Sequence, residues 1–210
     1  MINFTPKKIS WLNIWQQAEE FREKHKFANQ LPVNVEALIE FNLGMDIVPM
    51  SGLKAEAEVE AFLSKDLKTI YIDSQGFDNP NYRARHRFTL AEEIGHYVLH
   101  KEIYTNGVKY ETEEEFINDI RNMDETDLDW VEKQARQFAG RLLVPLKNLE
   151  DLIVKNQDLI DLVYKKYDGD DKEEFAIEGF SKKFCDEFGV SHYVVKYRIS
   201  YEGLNHYFQR

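Results

Sequence analysis

Five side chains able to move protons or hold a metal recur along one short stretch: Thr89, Glu92, Glu93, His96 and His100. At about 100° per residue in an α-helix they fall within one sector roughly 100° wide. Leu90, Ile94, Tyr97 and Val98 flank that sector on one side, and Phe88 and Leu99 on the other. A polar stripe between two apolar borders faces a cleft more readily than bulk water. Two acids and two imidazoles at spacings of three and four can converge on one point, which is the geometry a metal requires. The bland reading is an ordinary amphipathic helix with an i,i+4 Glu–His pair.

A second segment adds a further acid. Glu132-Lys133-Gln134-Ala135-Arg136-Gln137-Phe138-Ala139-Gly140-Arg141-Leu142-Leu143-Val144-Pro145 forms a helix whose packing face is Ala135, Phe138, Ala139, Leu142 and Leu143.

The elements that must position these residues follow from periodicity. Trp11, Leu12, Ile14, Trp15, Ala18 and Phe21 predict an amphipathic helix ending near Lys26, and Asn34 caps a second that stops at Gly44. The pattern then turns to short β runs at Ile47–Val48, Val59–Phe62 and Ile70–Ile72, with a hairpin turn at Ser64-Lys65-Asp66, which predicts a small antiparallel sheet. Gly76 to Asn81 is a loop signal. Helices alone follow: about 86–101, 128–143, 146–165, 178–187 and 191–200, with Lys165 to Glu174 as a charged connector. Helices and strands segregated along the chain predict an α+β fold.

The helix with the stripe, Arg87-Phe88-Thr89-Leu90-Ala91-Glu92-Glu93-Ile94-Gly95-His96, and the Glu132 helix together resemble the ImmA/IrrE-type metallopeptidases. That family's signature is Arg-Phe-Thr-Leu-Ala-His-Glu-x-Gly-His, followed by Glu-x-x-Ala-Asn-x-Phe-Ala-x-x-Leu-Leu-x-Pro. Leu31-Pro32-Val33, Lys68 to Ile72 and Phe184 to Tyr193 are similar to the family's flanking segments, so the resemblance covers about three quarters of the chain.

The resemblance implies a zincin-like pair of active-site helices. Zinc would be held by the two His of the first motif and the Glu of the second, with the central Glu activating the metal-bound water. In this sequence those positions are Glu92, His96 and Glu132 as metal ligands and Glu93 as catalytic base, so the first His is replaced by Glu92. A carboxylate can bind zinc at about 2.0–2.2 Å. Two carboxylates and one imidazole neutralise Zn²⁺, which weakens acidification of its water and shifts preference toward Mn²⁺ or Mg²⁺. A register using His96 and His100 lacks an acid at position 97, which is Tyr97.

Two functions stay open. One is a metal-dependent (zinc) endopeptidase cleaving a protein partner; by analogy to the family this is a helix-turn-helix transcriptional repressor, in stress or mobile-element control. The other is a catalytically impaired, metallopeptidase-like partner-binding regulator, its zinc site lost through Glu92. The expected organisation is a peptidase domain over 1–145 and a helical segment over 146–210 packed on it. Phe184 to Ile199 reads as helix, Gly turn and Ser-capped helix, a helix-turn-helix-like pair. Lys196 and Arg198 are too few to make it a DNA reader on an acidic chain, so packing is the expected role.

Composition sets the remaining bounds. The 210 residues carry a formal net charge of −11, which opposes non-specific nucleic-acid binding. Ten carboxylates against Arg121 and Lys133 lie between Glu111 and Lys133, and this reads as an exposed acidic insertion. Cys185 is the only cysteine, which excludes an intramolecular disulfide and a thiolate zinc cluster. No apolar run of membrane-spanning length and no signal-peptide core is present, so the expected location is the cytoplasm. Neither a Gly-rich phosphate loop nor a Gly-x-Ser-x-Gly elbow occurs.

Overall fold

A computed structural model describes residues 7–75, 82–106, 115, 125–167 and 169–210. The order is α1 (Trp11–Lys24), a 3₁₀ turn, α2 (Val35–Ala37) running into a π-helical stretch to Leu43, β1 (Asp46–Met50), α3 (Leu53–Ala57), β2 (Ala61–Leu63) and β3 (Thr69–Asp73). Helices follow: α4 (Arg83–Leu99), α5 (Lys101–Asn106), α6 (Glu125–Leu143), α7 (Leu146–Lys155), α8 (Gln157–Lys166), α9 (Lys172–Phe188), α10 (His192–Tyr201) and a closing 3₁₀ turn, Leu204–Phe208. The architecture is α+β, a small sheet against a helical body. Among the described residues no helix is long and apolar enough to cross a membrane.

The sheet corrects one expectation. β2 and β3 form the antiparallel hairpin, with Ala61 opposite Ile72 and Leu63 opposite Ile70. β1, however, runs parallel to β3, with Asp46 opposite Thr69 and Met50 opposite Asp73, so the sheet is mixed, in the order β1-β3-β2. The cause is the short helix between β1 and β2, which carries the chain past β1 and leaves the central place for β3. Asp73 at the end of β3 fastens this crossover: its Oδ2 accepts from the Lys54 amide at the start of α3 (2.7 Å) and its Oδ1 from the Gln75 amide (2.8 Å). The hairpin turn lies where expected. Ser64 Oγ donates to Asp66 Oδ1 at 2.7 Å, and that carboxylate accepts from the Lys68 amide at 3.1 Å.

Three helix boundaries also differ. Asn156 divides the expected 146–165 helix in two, its side-chain amide donating back to the Leu152 carbonyl. α9 begins at Lys172, inside the stretch that reads as a charged connector: its first turn, Lys172 to Phe175, buries no side chain, and Phe175 stacks on Tyr167 (ring centroids 4.5 Å apart). α6 begins at Glu125, within the acidic run, of which residues 111–114 and 116–124 lie outside the described residues, as does the 76–81 loop signal. α3 and α5 are too short for a periodic signal.

One hydrophobic cluster runs from Ile14 to Phe208. α1 lays Ile14, Ala18 and Phe21 on α6, where Phe21 meets Phe138 edge-on at 5.7 Å. Arg22, buried beside them, donates to the Leu142 carbonyl at 2.6 Å near the C-terminal end of α6. α4 crosses α6 at Gly95, where an added Cβ would lie 2.9 Å from the Ala135 carbonyl oxygen. The α9–α10 turn is tied to α4 through Gly189, whose φ of 63° favours glycine, and whose carbonyl accepts from Arg87 Nη1.

Candidate functional site

The α4–α6 crossing decides where the polar stripe points. With Gly95 against Ala135, the helices approach closely enough to bury Thr89, Glu93, His96 and His100 between the sheet and α6. The stripe faces the interior.

A chain of hydrogen bonds fixes the imidazoles. Gln134 Nε2 donates to the Lys7 carbonyl at 3.1 Å, which turns Gln134 Oε1 toward His100 Nε2 at 3.3 Å. An amide oxygen only accepts, so His100 carries its proton on Nε2 and its Nδ1 is bare. His96 Nδ1, 3.1 Å from His100 Nδ1, must then be the donor. The network therefore assigns neutral His96 the Nδ1–H tautomer and leaves a lone pair on Nε2, which faces Glu132 Oε1 at 3.5 Å. Burial holds both rings neutral. It pushes His96 down to about 4, helped by Arg136, and His100 down to about 3, helped by His96.

The acids form a second cluster. Burial raises Glu93 well above the usual carboxylate range, Glu132 and Glu92 raise it further, and the backbone amide of Leu63 on β2 partly offsets them. Burial lifts Glu92 to about 7 and also raises Glu132, each opposed chiefly by Arg136. Arg136 is the centre of this cluster. Its Nε lies 3.1 Å from Glu92 Oε1 and its Nη2 3.7 Å from Glu132 Oε2. The structure thus brings His96 and Glu132 together, and joins Glu92 to Glu132 through a guanidinium.

In this arrangement the donor set does not fit a divalent ion. Arg136 lies on both carboxylates that would hold one and carries its own positive charge. Among the described residues, no three His, Cys, Asp or Glu side chains are placed as a metal-holding group.

Three residues of the site are absent from the sequence reading. Arg136 had a signal, since it stands where the resembling pattern has Asn in Glu-x-x-Ala-Asn. Gln134 had none, because a tautomer relay leaves no mark on periodicity. Glu60 precedes β2 and takes Arg85 through both Nε (2.7 Å) and Nη2, as well as Lys54 at 3.0 Å and Thr89 Oγ1 at 3.4 Å. Its role depends on the crossover that brings β2 over α4.

A helix carrying Glu-Glu-x-x-His, crossed by a second helix whose glutamate faces that histidine beside a small mixed sheet, defines a metallopeptidase-like protein. Residues 68–200 match the model of the IrrE N-terminal-like domain (Peptidase_M78), well over half of the chain, and the chain belongs to that family. A search of curated proteins finds no match.

Proposed function

We propose that this chain is a partner-binding member of its family, with an internal ion pair in place of the peptidase metal. The observation that supports this reading is the position of Arg136 between Glu92 and Glu132. Two departures from the resembling pattern complement each other: the first motif gains an anion at Glu92 where the family has a neutral imidazole, and the second gains a cation at Arg136 where it has a neutral amide. A guanidinium bridging two partly buried carboxylates offsets the charge that a divalent ion would otherwise neutralise. The partner is a protein, and the family resemblance suggests a helix-turn-helix repressor.

The endopeptidase reading is supported by the relay through Gln134 and His100. It holds the His96 Nε2 lone pair toward Glu132, as second-shell partners do for a metal-ligating histidine. The Arg136 side chain is about half exposed, and an outward rotamer would free Glu92, His96 and Glu132 for Zn²⁺ or Mn²⁺ with Glu93 beside them.

Elemental analysis of purified protein separates the two. The expected result is substoichiometric metal in the parent and one zinc per chain in the Glu92→His/Arg136→Asn double variant. Stoichiometric zinc or manganese in the parent, lost in His96→Ala, would sink the partner-binding reading and restore the endopeptidase.

A further inference from the structure

Beside the Arg136 cluster lies a groove of about 690 Å³, walled by α4, α6 and α10. Its α10 wall is a row of phenols. Tyr193, Tyr197 and Tyr201 recur at a spacing of four and are 58%, 60% and 51% exposed, while Val195 and Ile199 on the same helix are buried. Exposed large aromatics in a row on one face of a groove mark a contact surface. Phe88 and Val194 extend the apolar lining between them.

The opposite wall is charged, and its ion pairs are layered in one sense. Arg85 is 54% exposed above Glu60 at 32%, and Arg136 is 55% exposed above Glu92 at 19%. Lys133, about half exposed, adds a third cation, and its partner Asp129 does not line the groove. In each layered pair the acid lies beneath and the cation reaches the solvent. A chain of net charge −11 thus presents cations and phenolic O–H donors inside this one groove. Both groups donate hydrogen bonds and call for an acceptor-rich, negatively charged ligand, while the rings call for apolar side chains.

We propose that this groove receives an acidic peptide segment of a partner protein, with aromatic or aliphatic side chains seated on the tyrosine row and carboxylates on Arg85, Lys133 and Arg136. The proposal deepens the partner-binding reading and rests on it. Nucleic acid fits less well. Three cation tips on one wall cannot follow a phosphate backbone, and the basic side chains of α10 reach solvent less than the groove cations do, Lys196 being 30% and Arg198 3% exposed.

The test is selection of displayed short random peptides on the intact protein, followed by fluorescence anisotropy with the enriched peptides. The expected outcome is enrichment of sequences that place Asp or Glu beside aromatic or aliphatic residues, with affinity that falls as salt is added. Tyr197→Ala and Lys133→Glu should each weaken binding about tenfold or more, and Val154→Ala, exposed on α7, should leave it unchanged. Both groove side chains are more than half exposed, so unaltered melting temperatures are expected and Lys133→Glu alone suffices if Tyr197→Ala unfolds.

Enrichment of basic or uncharged peptides, no enrichment, binding indifferent to both variants, tighter binding of a single-stranded oligonucleotide, or self-association through the same tyrosines would each overturn the proposal. Metal content measured on the same preparation keeps the two readings apart. A metal-free parent without acidic peptides loses only the groove, whereas a metal-loaded parent loses the partner-binding reading whatever peptides it selects.

Discussion

Glu92 is the side chain on which the two functional readings divide, and its ionisation is measurable. Burial lifts its carboxyl from the ordinary 4.5 to about 7, with Arg136 offsetting part of the effect. The folded state then holds this proton more tightly than the unfolded chain does. Its stabilisation is fully present below about pH 4.5 and is lost as pH rises through about 7. His96 and His100 act in the opposite sense. Their folded values of about 4 and about 3 lie below the ordinary 6.5, so their contribution is complete above about 6.5 and is lost as pH falls toward those values. Glu92→Gln isolates the carboxyl because the amide cannot titrate. Between about pH 5 and pH 8, the melting temperature of the parent should fall by roughly 5 °C relative to that variant, read by calorimetry across the range. A difference independent of pH would show that the Arg136 pair keeps Glu92 ionised throughout.

Among the elements, α4 and α6 determine the site because Gly95 lets them touch. A methyl at this position would lie 2.9 Å from the Ala135 carbonyl oxygen and 3.1 Å from its Cα, both backbone atoms that can move only with the helix. Gly95→Ala should therefore cost about 1–3 kcal/mol and lower the melting temperature by roughly 5 °C. A melting temperature equal to the parent's would mean that the crossing relaxes freely. These two helices were readable from the sequence, since Leu90, Ile94, Phe138 and Leu142 keep a helical period and the polar stripe lies between apolar borders. The parallel pairing of β1 was not, because it depends on Asp73 reaching across to cap α3, and no local pattern encodes a contact between a strand end and a helix start. The start of α9 was hidden for the converse reason: Lys172, Glu173 and Glu174 form helix without burying an apolar face. At the site, Glu92, Glu93 and His96 lie on the stripe that residue type and spacing mark, whereas Glu132 is marked only by the resembling pattern. Arg136 lies on the half-exposed side of α6, where a basic residue ordinarily faces water, so only its departure from the Asn of the resembling pattern marked it.

The whole molecule is closed by a charged junction between its first and last helices. Glu202, at the end of α10, has a buried side chain and accepts from Arg141 Nη1 on α6 and Arg198 Nη2 on α10. Arg141 Nε also meets Glu19 of α1 at 2.7 Å, and both guanidiniums lie over the Trp15 ring, at 5.9 and 5.5 Å. Arg198 is held mainly by this one acid: its Nε and Nη1 are buried without a hydrogen-bond partner, and burial, with Arg141 adding to it, pushes its pKa down to about 9. Removing one partner of a buried ion pair leaves an uncompensated charge, at a cost of about 3–5 kcal/mol, whereas replacing the pair by apolar groups is often neutral. Glu202→Ala should thus lower the melting temperature by roughly 10 °C, and Glu202→Leu with Arg198→Met should recover part of that loss, since Arg141 loses Glu202 in both variants and keeps Glu19. Because Arg198 and the tyrosine row share α10, the single variant should also weaken the acidic peptides selected by the groove, and the double variant should restore them. Restored stability without restored binding would mean that the charge of Arg198, rather than the position of α10, serves the groove.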